Sequence, residues 1–333
     1  MSYYLANRDP RQLRRDVRSV VLGVVGFIVT MNVVTIIVVL VAAFMVNMES
    51  IMLAAGSMDQ ATMDALTDQV LDSYLETTMQ YSGLGMLLGM ICGLPWFFLV
   101  RGKAFLSSDA VKVNSKAKLG TILILLICVF GIQGFMQLIT MVLEPLFNQG
   151  GGSLTDALEE GMESLTFSFW GVLYIVIIGP ICEELVFRGG VMRKLEKYGA
   201  NFAIIVSSLI FALYHMILFQ AVFAFFIGII LAYTAGRFSL KWAVLLHIIN
   251  NGLAVLPLYV GIPSLDTILL VIYVVSFVIA FVVLVVNRRP MKAQRQAGAP
   301  SEPTVYHRAF SSPWLIVYIT LTTFVAVLLL GFF

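Results

Sequence analysis

Nine stretches of this chain are apolar for about the length a helix needs to cross a bilayer, roughly 20 residues. They cover residues 20–46, 79–100, 119–142, 165–182, 202–219, 221–235, 242–260, 267–286 and 314–333. Runs of this kind leave few folds open, because a segment in lipid must satisfy its own backbone as a helix or as part of a closed barrel. Apolar continuity, rather than alternation, selects the helix. The expected fold is therefore all-α, a polytopic transmembrane bundle of nine spans, or eight if the short sixth is not one. Composition agrees: 12% of residues are charged, against about 25% in soluble domains. The first run is too long for the ~7–15-residue core of a cleaved signal peptide and reads as a retained span.

Charge sets the orientation. With a cytoplasmic N-terminus, the inner segments 1–19, 101–118, 187–200, 236–241 and 287–313 contain all 21 Lys and Arg residues. Twelve of the nineteen acids fall in the outer loops. Positive charge is retained on the cytoplasmic side, so this partition supports the span count, including the sixth span that returns Arg237 and Lys241 inward. The expected location is a cell membrane, with the lipid bilayer as the protein's surroundings. Nothing supports nucleic-acid binding. Cys92, Cys128 and Cys182 lie within apolar runs and indicate no disulfide framework.

Three regions follow. Residues 1–164 form an N-terminal membrane region of three spans. Within it, 58–78 reads as an amphipathic helix on the outer face, with Met63, Leu66, Val70 and Tyr74 opposite Asp64, Asp68 and Asp72. Residues 165–260 hold the intramembrane ionisable groups. Residues 261–333 supply the last spans, joined by a flexible inner linker at 289–313 that is rich in Pro, Ala and Gln. The Gly-rich turn at 149–153 has no phosphate-loop context, and no internal repeat suggests an inverted-repeat transporter.

Ionisable residues within spans are costly and mark function by default. Here they fall into three groups: Glu183, Glu184 and Arg188; His215, with Phe211 one turn before it; and His247 with Asn251. Glu184 and Arg188 are spaced for a same-face ion pair. Glu183, about 100° round the helix, is free to face another neighbour. Counting from a turn near Gly199, Glu183 and His215 each lie sixteen residues away, roughly 24 Å along a helix. His247 is only about 12 Å above Ser239, so it meets them only if the first hairpin protrudes further than the second.

The ordered pattern Glu-Glu-x-x-x-Arg, Phe-x-x-x-His, His-x-x-x-Asn resembles the CAAX-protease and bacteriocin-processing (CPBP, Abi) family of intramembrane proteases, which includes the type II CAAX prenyl protease. The resemblance covers 165–260. There is no His-Glu-x-x-His helix and no Gly-x-Ser-x-Gly elbow. The resemblance implies an endopeptidase with catalytic Glu183, His215, His247 and Asn251, supported by Glu184, Arg188 and Phe211. Glu183 would activate water, since a carboxylate in a partly dry site is a stronger proton acceptor. His215 would hold the water, while His247 and Asn251 would stabilise the oxyanion. The substrate implied is a membrane-associated peptide or protein, such as a prenylated CAAX protein or a bacteriocin-like peptide.

Other readings stay open. Glu183, His215 and His247 also make a possible Zn²⁺ set with water in the fourth position. The metal-free glutamate form is favoured, because Glu184 is expected to be occupied by Arg188 and a metal mechanism would want a second carboxylate. An ion- or proton-coupled transporter and a non-catalytic membrane partner-binding protein are the alternatives from other classes.

Overall fold

The computed structural model describes residues 10–56, 60–105, 113–153, 155–260, 262, 264–286 and 303–329. Among these residues the chain is helical, with no strand. The elements are α1 (Pro10–Gly56), α2 (Gln60–Gly93), α3 (Pro95–Arg101), α4 (Leu119–Gln149), α5 (Asp156–Thr166), α6 (Phe169–Tyr198), α7 (Ala200–Tyr214), α8 (Leu218–Arg237), α9 (Leu240–Val260), α10 (Leu265–Val286), α11 (Pro303–Phe310) and α12 (Pro313–Leu328).

Seven of the described helices are long and apolar enough to cross a membrane, and an eighth crossing arises if α11 and α12, bent by 63°, count as one. The remaining expected span is the exception. Its helix, α7, has 15 residues and is roughly 22 Å long, short of the ~30 Å hydrocarbon core. It stops at Tyr214, where Met216 adopts a left-handed backbone with φ 55°, and α8 starts at Leu218. The break therefore falls before the expected boundary at 219, and the short member of the pair is the fifth span rather than the sixth.

Apolar side chains face outward as lipid requires. On α10, Ile268, Val271, Val275, Val278 and Val282 are exposed, while Leu269, Tyr273, Ser276 and Ala280 are buried against the bundle. With no water to drive helices together in lipid, close backbone approach supplies much of the association. The α1–α2 hairpin is built this way. A Cβ on Gly89 would come within 2.5 Å of the Met31 carbonyl, and one on Gly85 within 2.8 Å of Thr35 Cα.

Two expectations change in form. The amphipathic stretch around 60–78 is not a separate surface helix but the first half of α2, continuous with its membrane part; residues 58–59 lie outside the described residues. Of the 289–313 linker, 303–310 is helical and packs on α1, while 289–302 lies outside the described residues.

The basic segments meet at one end of the bundle. Asp16 accepts from Lys197 Nζ at 2.6 Å and from the Tyr198 hydroxyl at 2.6 Å. Lys194 donates to the Val100 carbonyl at 2.8 Å, and Ser115 to the Arg237 carbonyl at 2.7 Å. Below, this is called the basic end. The opposite end, which carries Asp156 and Asp266 at the starts of α5 and α10, is called the acidic end.

Candidate active site

The site is built on an irregular helix. Within α6, residues 174–178 and 185–192 are π-helical, and they flank a short α segment, Gly179–Glu184, that carries both glutamates. Pro180 supplies a local cause. The Gly179 N–H bonds the Tyr174 carbonyl five residues back, so the Ile175 carbonyl loses its usual partner. The next N–H that could serve it belongs to Pro180, which has none. Asn251 fills the gap, its Nδ2 donating to the Ile175 carbonyl at 2.9 Å. Such π segments concentrate at functional sites.

Glu184 is fully buried and Arg188 nearly so. Arg188 Nη1 lies 2.8 Å from Glu184 Oε1, as the spacing predicts. The guanidinium also donates through Nη2 to the Gly228 carbonyl at 3.2 Å and sits 4.4 Å from the centre of the Phe211 ring. The pair is more than a helix clamp. His247 Nδ1 donates to the same Glu184 oxygen at 3.1 Å, and its Nε2 lies 3.6 Å from Glu183 Oε2. Both carboxylates, about 100° apart on α6, are thus addressed by one imidazole through its two nitrogens. Sequence spacing assigns Glu184 to Arg188 but gives no sign that it also holds His247.

His215 owes its tautomer to the end of α7. Its backbone N–H bonds the Ala212 carbonyl, which leaves the Phe211 carbonyl without a helical partner. The ring Nδ1 donates to that carbonyl at 3.0 Å, one of the ways orphan helix-end carbonyls are satisfied. Nε2 is left as the acceptor. Glu183 and His247 both lie within electrostatic reach of this ring. Phe211 is the common spacer. It meets His215 edge-on at 4.9 Å and His247 at 5.9 Å between centres, with Arg188 over its face.

The fold therefore gathers Glu183, Glu184, Arg188, Phe211, His215 and His247. Asn251 is placed differently. Its amide is turned to Ile175, eight residues and roughly 12 Å of helix from Glu183, and its Oδ1 accepts from Asn250 Nδ2 at 3.1 Å. Asn250 in turn accepts from Gln133 Nε2 at 3.1 Å. Gln133 and Asn250 were open to detection in the sequence as amides inside apolar runs, yet their link, across 117 residues, has no local signature.

As arranged, Glu183, His215 and His247 do not make a metal-holding group: among the described residues no three His, Cys, Asp or Glu side chains converge for one. Cys182, beside Glu183, is buried.

Residues 165–253 match the family described as type II CAAX prenyl endopeptidase Rce1-like. This stretch is a CAAX-protease-family domain. It covers just over a quarter of the chain and contains every site residue above except Gln133. No curated protein and no solved structure matches the chain significantly. The match supports an intramembrane endopeptidase core in general, and the long apolar helices fit a multi-pass membrane protein.

Proposed function

We propose that the CAAX-protease domain hydrolyses peptide bonds of a membrane-associated protein or peptide by a metal-independent, glutamate-activated water. The observation that carries this reading is the convergence of a buried Glu183 with His247 and His215, each ring oriented through its Nδ1.

With Nδ1–H committed to Phe211, His215 Nε2 accepts a hydrogen from water and holds it beside Glu183. Glu183 takes a proton as the water oxygen bonds to the scissile carbonyl carbon. The carbonyl oxygen becomes an oxyanion, stabilised by a hydrogen bond from His247 Nε2. His247 can donate there only when Nε2 also carries a proton. The second amide hydrogen of Asn251, one turn further along α9, is placed to bind substrate backbone beside Ile175 rather than the oxyanion. Glu183 then returns its proton to the leaving nitrogen, the C–N bond breaks, and a carboxylic acid and an amine depart. The substrate chemistry we favour is a prenylated CAAX tail presented at the basic, cytoplasmic side of a cell membrane.

The test is the mass of products from a farnesylated CAAX peptide incubated with purified protein in lipid nanodiscs. Release of the three terminal residues is expected, and Glu183→Ala should bind the peptide without cutting it. Binding by both proteins with no cleavage by either would make the chain a partner-binding protein instead.

A further inference from the structure

A second polar region lies off the active centre, where α4, α9 and α10 meet. A cavity of about 270 Å³ is lined there by Gln133, Gln137, Ala254, Pro257, Asp266 and Tyr273, among others. At about 30 Å³ per molecule this is room for several waters, and the amide and carboxylate groups give them partners. Polar side chains inside spans are rare without a use. Gln133 and Gln137, one turn apart on α4, both face this space.

The cavity has a direction. Asp266 and Gln137 are exposed, Gln133 is half-buried, and Asn250 beyond it is 4% exposed. Asn250 lies one turn from Ala254 on the same face of α9, so it forms the floor. Toward the basic end the space is shut by backbone contact: a Cβ on Gly134 would stand 2.3 Å from the Tyr273 carbonyl, and one on Gly131 3.0 Å from the Ser276 carbonyl. The opening therefore faces the acidic end. From the floor an unbroken chain of amides, Gln133 to Asn250 to Asn251, runs to the Ile175 carbonyl of α6.

The geometry points to a water-accessible vestibule, open at the acidic end and closed at the basic end, that brings water through the Gln133–Asn250 wall to the Asn251 side of the active centre. The claim that Asn251 belongs to that centre rests on the proteolytic reading. The vestibule itself does not, and hydrolysis inside a bilayer needs such a path for its second reactant.

The experiment is thiol labelling of the full chain in intact membranes, after replacing Cys92, Cys128 and Cys182 by alanine. Single cysteines are placed at Gln137, Ala254, Gln133, Asn250 and, as the lipid-facing reference, Leu138. The probe is the membrane-impermeant cation methanethiosulfonate ethyltrimethylammonium. Thiols in water ionise and react, and those in lipid do not, so Gln137→Cys and Ala254→Cys should label at least about tenfold faster than Leu138→Cys. Labelling should come only from the side bearing Asp266. Gln133→Cys and Asn250→Cys should label more slowly but above the reference. Equal rates at Gln137 and Leu138, or labelling from the basic side, would overturn the vestibule. Reaction at Gln137 and Ala254 with none at both Gln133 and Asn250 would reduce it to a surface cleft and sever it from the centre. No substrate is used, so failure of the proteolytic reading leaves these outcomes readable.

Discussion

The α1–α2 hairpin and α6 lie side by side and are built in opposite ways. In the hairpin, helices of 47 and 34 residues run without a proline past the first position and close on each other at glycine. Helix α6 gives part of its ladder up. Over 30 residues it passes through two π segments around a proline, and groups from other helices compensate: Asn251 serves its Ile175 carbonyl, while its own Arg188 reaches out to Gly228. A helix that only spans can be self-sufficient. One that holds charged groups in a fixed geometry relies on its neighbours, so damage to α6 should be read in chemistry and damage to the hairpin in stability.

The sharpest break of that contrast is at Glu183. Glu183→Gln keeps the side chain's shape and leaves the Glu184–Arg188 pair in place. Turnover should fall by roughly 10²–10⁴-fold, the usual contribution of a general base, while the thermal unfolding midpoint stays near that of the parent. A collapse of folding with activity retained per folded molecule would make Glu183 structural and undo the comparison.

Glu184 separates two roles that one residue performs. Glu184→Gln strands Arg188 as a buried charge, a loss of about 3–5 kcal/mol for broken buried pairs, and it also weakens the acceptor for His247. The double variant Glu184→Gln/Arg188→Met removes the stranded charge, so yield and thermal midpoint should recover. Turnover should remain about tenfold or more below the parent, because His247 has lost the carboxylate that orients it. Full recovery of both would leave Glu184 as a helix clamp only.

Much of this was legible in the sequence, and the limits have physical causes. Lipid imposes long apolar runs on every span, so the all-α polytopic fold is written into composition and order. Fixed helical spacing joins Glu184 to Arg188 and Phe211 to His215. What the spacing misses depends on departures from the regular helix. The stop at Tyr214 turns on a left-handed Met216, a conformation that no Gly or Asn announces. His247 and Asn251, one turn apart on α9, share a face as the spacing says, but that face runs along α6, so they address Glu183 and Ile175 separately, the latter a carbonyl freed by a π segment that spacing does not show. Pro180 and the Gly189–Gly190 pair mark where α6 is irregular, but not how its carbonyls are then satisfied.

A milder change belongs in the hairpin. Gly89→Val pushes two methyl groups against the Met31 backbone, an overpacking that typically costs about 1–3 kcal/mol. Detergent stability should drop, with turnover per folded molecule within about twofold of the parent, since the partners of Glu183, Glu184, His215 and His247 described above come from α6, α7 and α9. A tenfold loss of turnover with stability unchanged would mean the hairpin tunes the chemistry directly.

The smallest effect expected is that of a strong chelator. A tetrahedral zinc held by Glu183, His215 and His247 would need Glu183 as ligand and another carboxylate as base. Glu184 is the nearest alternative, and its Oε1 is already ion-paired with Arg188 and hydrogen-bonded by His247 Nδ1. His247 would have to turn its Nε2 from the carboxylate toward the metal while keeping Nδ1 on Glu184, and His215 would have to offer the nitrogen proposed to hold water. Exhaustive chelation should therefore leave turnover within about twofold, and the purified protein should hold well under one zinc per chain. Near-stoichiometric zinc that leaves with activity and restores it on return would reassign Glu183 from base to ligand. His247→Ala sharpens the choice: under the glutamate mechanism it slows turnover by roughly 10²–10³-fold, as loss of an oxyanion donor does, with metal content unchanged. Under a zinc mechanism the bound metal would fall with it.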